Sequence, residues 1–122
     1  MRIFIYSRKS KWTGRGESVE NQISMCKDYI RYNIPESENA EIIEYEDEGY
    51  SGKNTNRPQF QKMMGEIKKG NCDYLVCYKL DRLGRNIADL ANLVETLNKL
   101  NVLFISIKER FDTSTPIGKA ML

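Results

Sequence analysis

The sequence contains no histidine and only three cysteines among its 122 residues. Without histidine there can be no Ser-His-Asp triad and no His-ligated zinc site. Cys72 and Cys77 do not form a Cys-x-x-Cys pair, and no second pair exists to complete a metal-binding spacing. An odd, sparse set of thiols fits a reducing, cytoplasmic setting better than a disulfide framework. No apolar run is long enough to span a membrane. The start, Met1-Arg2-Ile3-Phe4-Ile5-Tyr6, is too short an apolar stretch for a secretory signal and reads as a first strand. Charge of one sign is also lacking: 19 Lys and Arg against 17 Asp and Glu leave a formal net charge of +2. Any nucleic-acid contact must therefore come from where the basic residues cluster, not from their number.

What is present suits one domain with a real core, since 40% of residues are hydrophobic and 30% charged. Repeats, low-complexity tracts and internal linkers are not evident. Strand and helix patterns alternate. Arg2 to Ser7 reads as the first strand. Ser18 is placed as an N-cap, after which Val19, Ile23, Cys26 and Ile30 recur at helical spacing until Pro35. Glu41 to Glu46 forms the second strand, followed by a flexible polar stretch from Asp47 to Asn56. Pro58 opens a second helix with a Phe60, Met63, Met64 and Ile67 stripe, and Gly70 closes it. Asp73 to Tyr78 is the third strand. Ile87, Leu90, Val94 and Leu97 mark a third helix, and Val102 to Ile107 the fourth strand. This alternation predicts an α/β fold: a mostly parallel sheet of about four to five strands with helices on both faces. Thr115 and Pro116 look like the start of a further helix that the chain does not complete.

The polar residues gather where strands hand over to helices. Tyr6, Arg8 and Ser10 follow the first strand, Asp47, Ser51 and Arg57 the second, and Asp81, Arg82 and Arg85 the third. In open α/β sheets ligands bind at that edge. Guanidinium groups there suit a phosphate, which accepts paired hydrogen bonds from arginine. Fixed cations aimed at a transferring phosphoryl group stabilise its transition state without a metal ion. Each residue alone has an ordinary reading. A lone serine is usually a loop serine, single arginines are usually solvated, Asp81 suits a helix start, Asp47 can cap a turn, and Gln22 by itself reads as surface. Trp12 can stack on a base or pack within its own segment. A phosphate loop is excluded, because Asn54 follows Gly52-Lys53 and Asp47 stands where the first glycine belongs. No Gly-x-Gly-x-x-Gly follows the first strand, so a dinucleotide site is not expected.

Taken together, Tyr6-Ser7-Arg8-Lys9-Ser10, Ser18-Val19-Glu20-Asn21-Gln22, Asp47-Glu48-Gly49-Tyr50-Ser51-Gly52, Asn56-Arg57-Pro58 and Lys79-Leu80-Asp81-Arg82-Leu83-Gly84-Arg85 resemble the catalytic domain of the serine recombinases, the resolvase and invertase family. The likeness runs along nearly the whole chain. The stretch Lys11 to Gly16 and the Asp47 segment are more similar to the large serine recombinases, which integrate and excise mobile elements. The resemblance implies that Ser10 attacks a DNA phosphodiester and forms a 5′-phosphoserine link. It implies that Arg8, Arg57, Arg82 and Arg85 surround the scissile phosphate, and that Asp81 orients the arginines or handles a proton. Tyr6, Gln22, Asp47 and Ser51 would be supporting residues. No cofactor and no metal are implied. The partners would be double-stranded DNA at a specific site and further copies of the protein, as a dimer and a tetrameric synapse. On this resemblance residues 1–122 are a catalytic domain whose long helix and DNA-binding regions would lie after 122, so the isolated fragment is expected to recombine nothing. Two other classes compete: an idle oligomerisation module, and a phosphate-binding regulator of flavodoxin-like topology. Neither has need of a serine together with Arg8, Arg57, Asp81, Arg82 and Arg85.

Overall fold

The computed structural model describes residues 1–10, 19–49, 58–80 and 87–112. Five strands are β1 (Arg2–Ser10), β2 (Glu41–Gly49), β3 (Tyr74–Cys77), β4 (Leu103–Ser106) and β5 (Phe111–Asp112). Three helices are α1 (Val19–Asn33), α2 (Pro58–Lys68) and α3 (Ile87–Lys99), and a short 3-10 helix covers Pro35–Asn39. The sheet order is β2-β1-β3-β4-β5. The first four strands are parallel and β5 is antiparallel to β4. The expected α/β architecture is met, with one strand that the sequence pattern did not reveal.

The central position of β1 follows from its residues. Ile3, Phe4, Ile5 and Tyr6 are each no more than 1% exposed, so the strand is covered on both faces. Ile3 and Ile5 pack with Ile23, Cys26 and Ile30 of α1. Phe4 and Tyr6 pack with Met63 and Ile67 of α2 and with Val94 and Leu97 of α3. One helix therefore covers one face and two cover the other. Each fully buried isoleucine in these layers contributes about 1.5–3 kcal/mol. Among the described residues no helix is long and apolar enough to cross a membrane.

The helix ends have local causes. Gly70, at φ 84, ends α2: its N–H reaches the Ile67 carbonyl and Asn71 N–H reaches Glu66. Asn101, at φ 59, ends α3 in the same way, with Val102 N–H on the Leu97 carbonyl at 2.8 Å. Both are left-handed closures that satisfy the last carbonyls of a helix.

β3 and β4 are each one residue shorter at both ends than the sequence reading, and two strands run well past their expected ends. β1 was expected to end at Ser7 and β2 at Glu46, but both continue, in register from Arg2↔Glu41 to Ser10↔Gly49. The apolar pattern stops earlier because these last residues are polar. The ladder does not, because its hydrogen bonds join backbone to backbone and are blind to side-chain polarity. Asp47, expected in a flexible loop, is thus a strand residue and only 4% exposed.

The order β2-β1-β3-β4 means the chain steps one way from β1 and the other way after β2. The carboxyl ends of β1, β2 and β3 consequently lie side by side, with the reversal between β1 and β3, where open α/β sheets bind ligands.

Candidate active site at the carboxyl edge of the sheet

Asp47 organises the described part of this edge. Its carboxylate accepts a hydrogen bond from the Tyr6 hydroxyl at 2.8 Å, and from the backbone N–H groups of Gln59 and Phe60 at 3.0 Å each. Gln59 and Phe60 lie in the first turn of α2, immediately after Pro58. The first N–H groups of a helix have no partner within it, and the helix dipole favours negative charge there. A buried carboxylate is costly unless fully hydrogen-bonded, and these donors meet that requirement. One side chain thus ties β1, β2 and the start of α2 together. Tyr6 is fully buried and its ring meets Phe60 edge-on at 5.4 Å.

Arg8 lies opposite Asp47 in the β1–β2 register and is half-buried. Gln22 reaches it from α1: its Nε2 donates to the Arg8 carbonyl at 3.3 Å, and the residue is fully buried. The surface reading of Gln22 is therefore corrected. One α1 position faces the strand beside Ile23, and an amide is accommodated there because it can bond the β1 backbone. Ser7, also fully buried, has no hydrogen-bond partner for its hydroxyl among the described residues. Ser10 is the last residue of β1, in register with Gly49.

The remaining candidates, Ser51, Arg57, Asp81, Arg82 and Arg85, lie outside the described residues, as do Trp12, Ser18, Thr115 and Pro116. Their attachment points are described. Residues 50–57 leave from β2 and enter α2 at Pro58. Residues 81–86 follow Leu80, three positions beyond the end of β3, and lead into α3.

Two residues at this edge were not found by sequence reasoning. Ser106, buried at the end of β4, donates its hydroxyl hydrogen bond to Glu109 Oε1 at 2.5 Å. Leu80 N–H points at both carboxylate oxygens of Glu109, at 3.3 Å each. Only the spacing Ser106-x-x-Glu109 could have hinted at this, and it has meaning only once the chain is known to reverse into β5.

Competing nucleophiles are quiet. Burial pushes the Cys26 and Cys72 thiols up to about 12, so both stay protonated near neutrality. Among the described residues no three His, Cys, Asp or Glu side chains are grouped to hold a metal ion. A groove of about 500 Å³ between α1 and β2 is lined by Lys27, Ile30, Arg31, Ser37, Glu38 and Ile42. It lies towards the amino end of β2, and its charges are of both signs.

Comparison with known proteins follows the same lines. The family model described as "Resolvase, N terminal domain" matches residues 3–122. A DNA-invertase of Enterobacteria phage P7 is 42% identical over 90 residues, covering 74% of this chain and 46% of that protein. The Tn917 resolvase of Enterococcus faecalis is 40% identical over 72 residues, covering 59% of this chain and 38% of that protein. The chain thus spans less than half the length of these relatives. Among solved structures, the N-terminal catalytic domain of TP901-1 integrase superposes with a TM-score of 0.80 at 32% identity, over 99% of this chain and 88% of that one. A resolvase family site-specific recombinase from Streptococcus pneumoniae gives 0.77 at 30% identity, over 99% and 83%.

Proposed function

The chain belongs to the resolvase family of site-specific serine recombinases, as a catalytic domain of that family, and from this we propose that Ser10 is the nucleophile that cuts DNA. The Ser10 oxygen attacks a backbone phosphorus and gives up its proton. The bond from phosphorus to the 3′ oxygen breaks, and the 3′ oxygen leaves as a hydroxyl after taking a proton. The product is a 5′-phosphoserine link and a free 3′ end. A 3′ hydroxyl of the exchanged strand then attacks the same phosphorus, and the Ser10 oxygen leaves. One phosphodiester is exchanged for another at each step, so the link conserves bond energy and no nucleotide hydrolysis is needed.

Arg8, Arg57, Arg82 and Arg85 surround the scissile phosphate and hold the charge that develops on its non-bridging oxygens. Guanidinium groups suit this role because they stay charged and present paired donors to phosphate oxygens. Asp81 orients these arginines or handles a proton. Tyr6, Gln22, Asp47 and Ser51 are supporting residues. The partners are double-stranded DNA at a specific site and further copies of the protein, paired as dimers and then as a tetrameric synapse. The reaction integrates or excises a mobile element in the cytoplasm of a bacterial host. Residues 1–122 are the catalytic part, with a long helix and DNA-binding regions to follow.

One observation carries this reading. β1, whose last residue is Ser10, lies between β2 and β3, the strands from which the stretches bearing Arg57 and Arg82 depart. The test is a covalent trap with the full-length protein and DNA containing its crossover site. A protein–DNA adduct is expected from the parent and none from Ser10→Ala. An adduct of equal yield from Ser10→Ala would assign the attack to another residue.

A further inference from the structure

We propose that Glu109 is a positioning residue for this reaction: its carboxylate fixes Leu80, and with it the direction in which the chain enters Asp81, Arg82 and Arg85. The inference rests on the roles given to those three residues above.

The β1–β3 ladder ends at Tyr6↔Cys77, while β1 runs on to Ser10. Beyond that ladder the backbone hydrogen bonds of the described residues come from the other side, from residues 107–109. Ile107 N–H bonds the Cys77 carbonyl at 3.1 Å, and Lys108 N–H bonds the Tyr78 carbonyl at 2.8 Å. Glu109 then takes the Leu80 N–H between its two oxygens.

Glu109 is itself held. The Ser106 hydroxyl donates to Oε1 at 2.5 Å, the short distance typical of a hydroxyl on a carboxylate. Ser106 is fully buried, so its hydroxyl cannot follow the carboxylate into solvent. The turn beneath is closed by Arg110 N–H on the Ile107 carbonyl and by Arg110 at φ 55, which sends Phe111 back alongside Ser106. Glu109 is exposed, yet its carboxylate is held at one end by the buried Ser106 and applied at the other to a backbone amide one residue before Asp81. Misplacing a catalytic group by about 1 Å can cost on the order of 10²-fold in rate, so a strut at this point bears on the chemistry.

The test uses the ¹⁵N-labelled 122-residue chain and the variants Glu109→Ala, Glu109→Gln and Ser106→Ala. Amide hydrogen exchange is read at Leu80 and, as a reference, at Phe4 and Ile5. Affinity for dimethyl phosphate, a minimal phosphodiester, is read from the side-chain Nε resonances of Arg82 and Arg85. Glu109→Ala is expected to speed Leu80 exchange and weaken diester binding by about tenfold each, the worth of one hydrogen bond to a charged group. Phe4 and Ile5 should be unchanged. Glu109→Gln keeps an acceptor oxygen and should restore most of both readouts. Should Glu109→Ala not fold, Ser106→Ala, which releases the carboxylate, should move both readouts in the same direction. Unchanged Leu80 exchange, or a uniform rise that includes Phe4 and Ile5, would overturn the proposal. Absence of diester binding by the parent chain would instead contradict the phosphodiester reading, and Leu80 exchange would still decide whether Glu109 anchors the chain.

Discussion

Replacing Asp47 by alanine removes the acceptor for a buried tyrosine hydroxyl and for two N–H groups of the α2 first turn. Hydrogen bonds to a charged group are worth about 1.5–3 kcal/mol each, but the gain is offset where stranded donors can reach water. The Gln59 and Phe60 amides are only part-buried and will be partly rehydrated, whereas the Tyr6 hydroxyl is enclosed. Removing the carboxylate also removes its own cost of burial. The net loss should be about 3 kcal/mol, of which Tyr6→Phe alone reproduces about 1 kcal/mol because two donors to Asp47 remain. For a domain of this size about 3 kcal/mol corresponds to a fall in Tm of about 12 °C. Urea unfolding followed by circular dichroism, with the double variant included, measures both the loss and the coupling. Tyr6→Phe should cost much less in the Asp47→Ala background than in the parent. A loss below about 1 kcal/mol for Asp47→Ala, or strict additivity of the two changes, would refute the claim that this carboxylate ties the strands to α2.

Other expectations are independent of this one. Burial raises the Cys26 and Cys72 thiols from the ordinary 9.0 to about 12. The unfolded chain therefore loses these protons first. The stability from their neutral burial is intact below pH 9 and falls as pH rises from there towards about 12, by about 1.4 kcal/mol per pH unit for each thiol. Unfolding curves between pH 8.5 and 10.5 check this, and iodoacetamide should leave both thiols unmodified in the folded protein at pH 8. Arg110→Gly should stabilise the fold by about 0.5–1 kcal/mol, because a non-glycine residue pays a steric cost at positive φ. A destabilisation in thermal melts would mean the Arg110 side chain outweighs that cost. Arg82→Ala should slow DNA cleavage by about 10²-fold, equivalent to about 3 kcal/mol, with binding of the site less affected. Single-turnover cleavage kinetics separate the two effects.

The apolar periodicities of α1, α2 and α3 were legible, as were the four parallel strands, because each has a repeat that matches one buried stripe or face. The signals at Pro58 and Gly70 were local and held. Three features were not legible. The polar ends of β1 and β2 continue as strands through backbone pairing, which leaves no apolar trace. β5 is only two residues long, and the turn before it is closed by an arginine at positive φ, where a glycine would have been the usual signal. The cap of α2 comes from Asp47, a residue of the neighbouring strand, whereas sequence rules look for caps next to the helix they serve. At the candidate site, Tyr6, Arg8, Ser10 and Asp47 were marked in advance because they stand at or just after the apolar strand patterns. The burial of Gln22 was not, since polarity on a helix usually means solvent. Glu109 was hidden for the same reason as β5: its partners are brought to it only by the reversal of the chain.

The most direct test of the central claim is to identify the atom that becomes joined to DNA. The full-length protein should be trapped on crossover-site DNA, digested with protease and nuclease, and the modified peptide sequenced by mass spectrometry. A phosphonucleotide mass is expected on Ser10, within the peptide that begins after Arg8 or Lys9, and none in Ser10→Ala. The same mass on any other residue, with Ser10 unmodified, would contradict that claim.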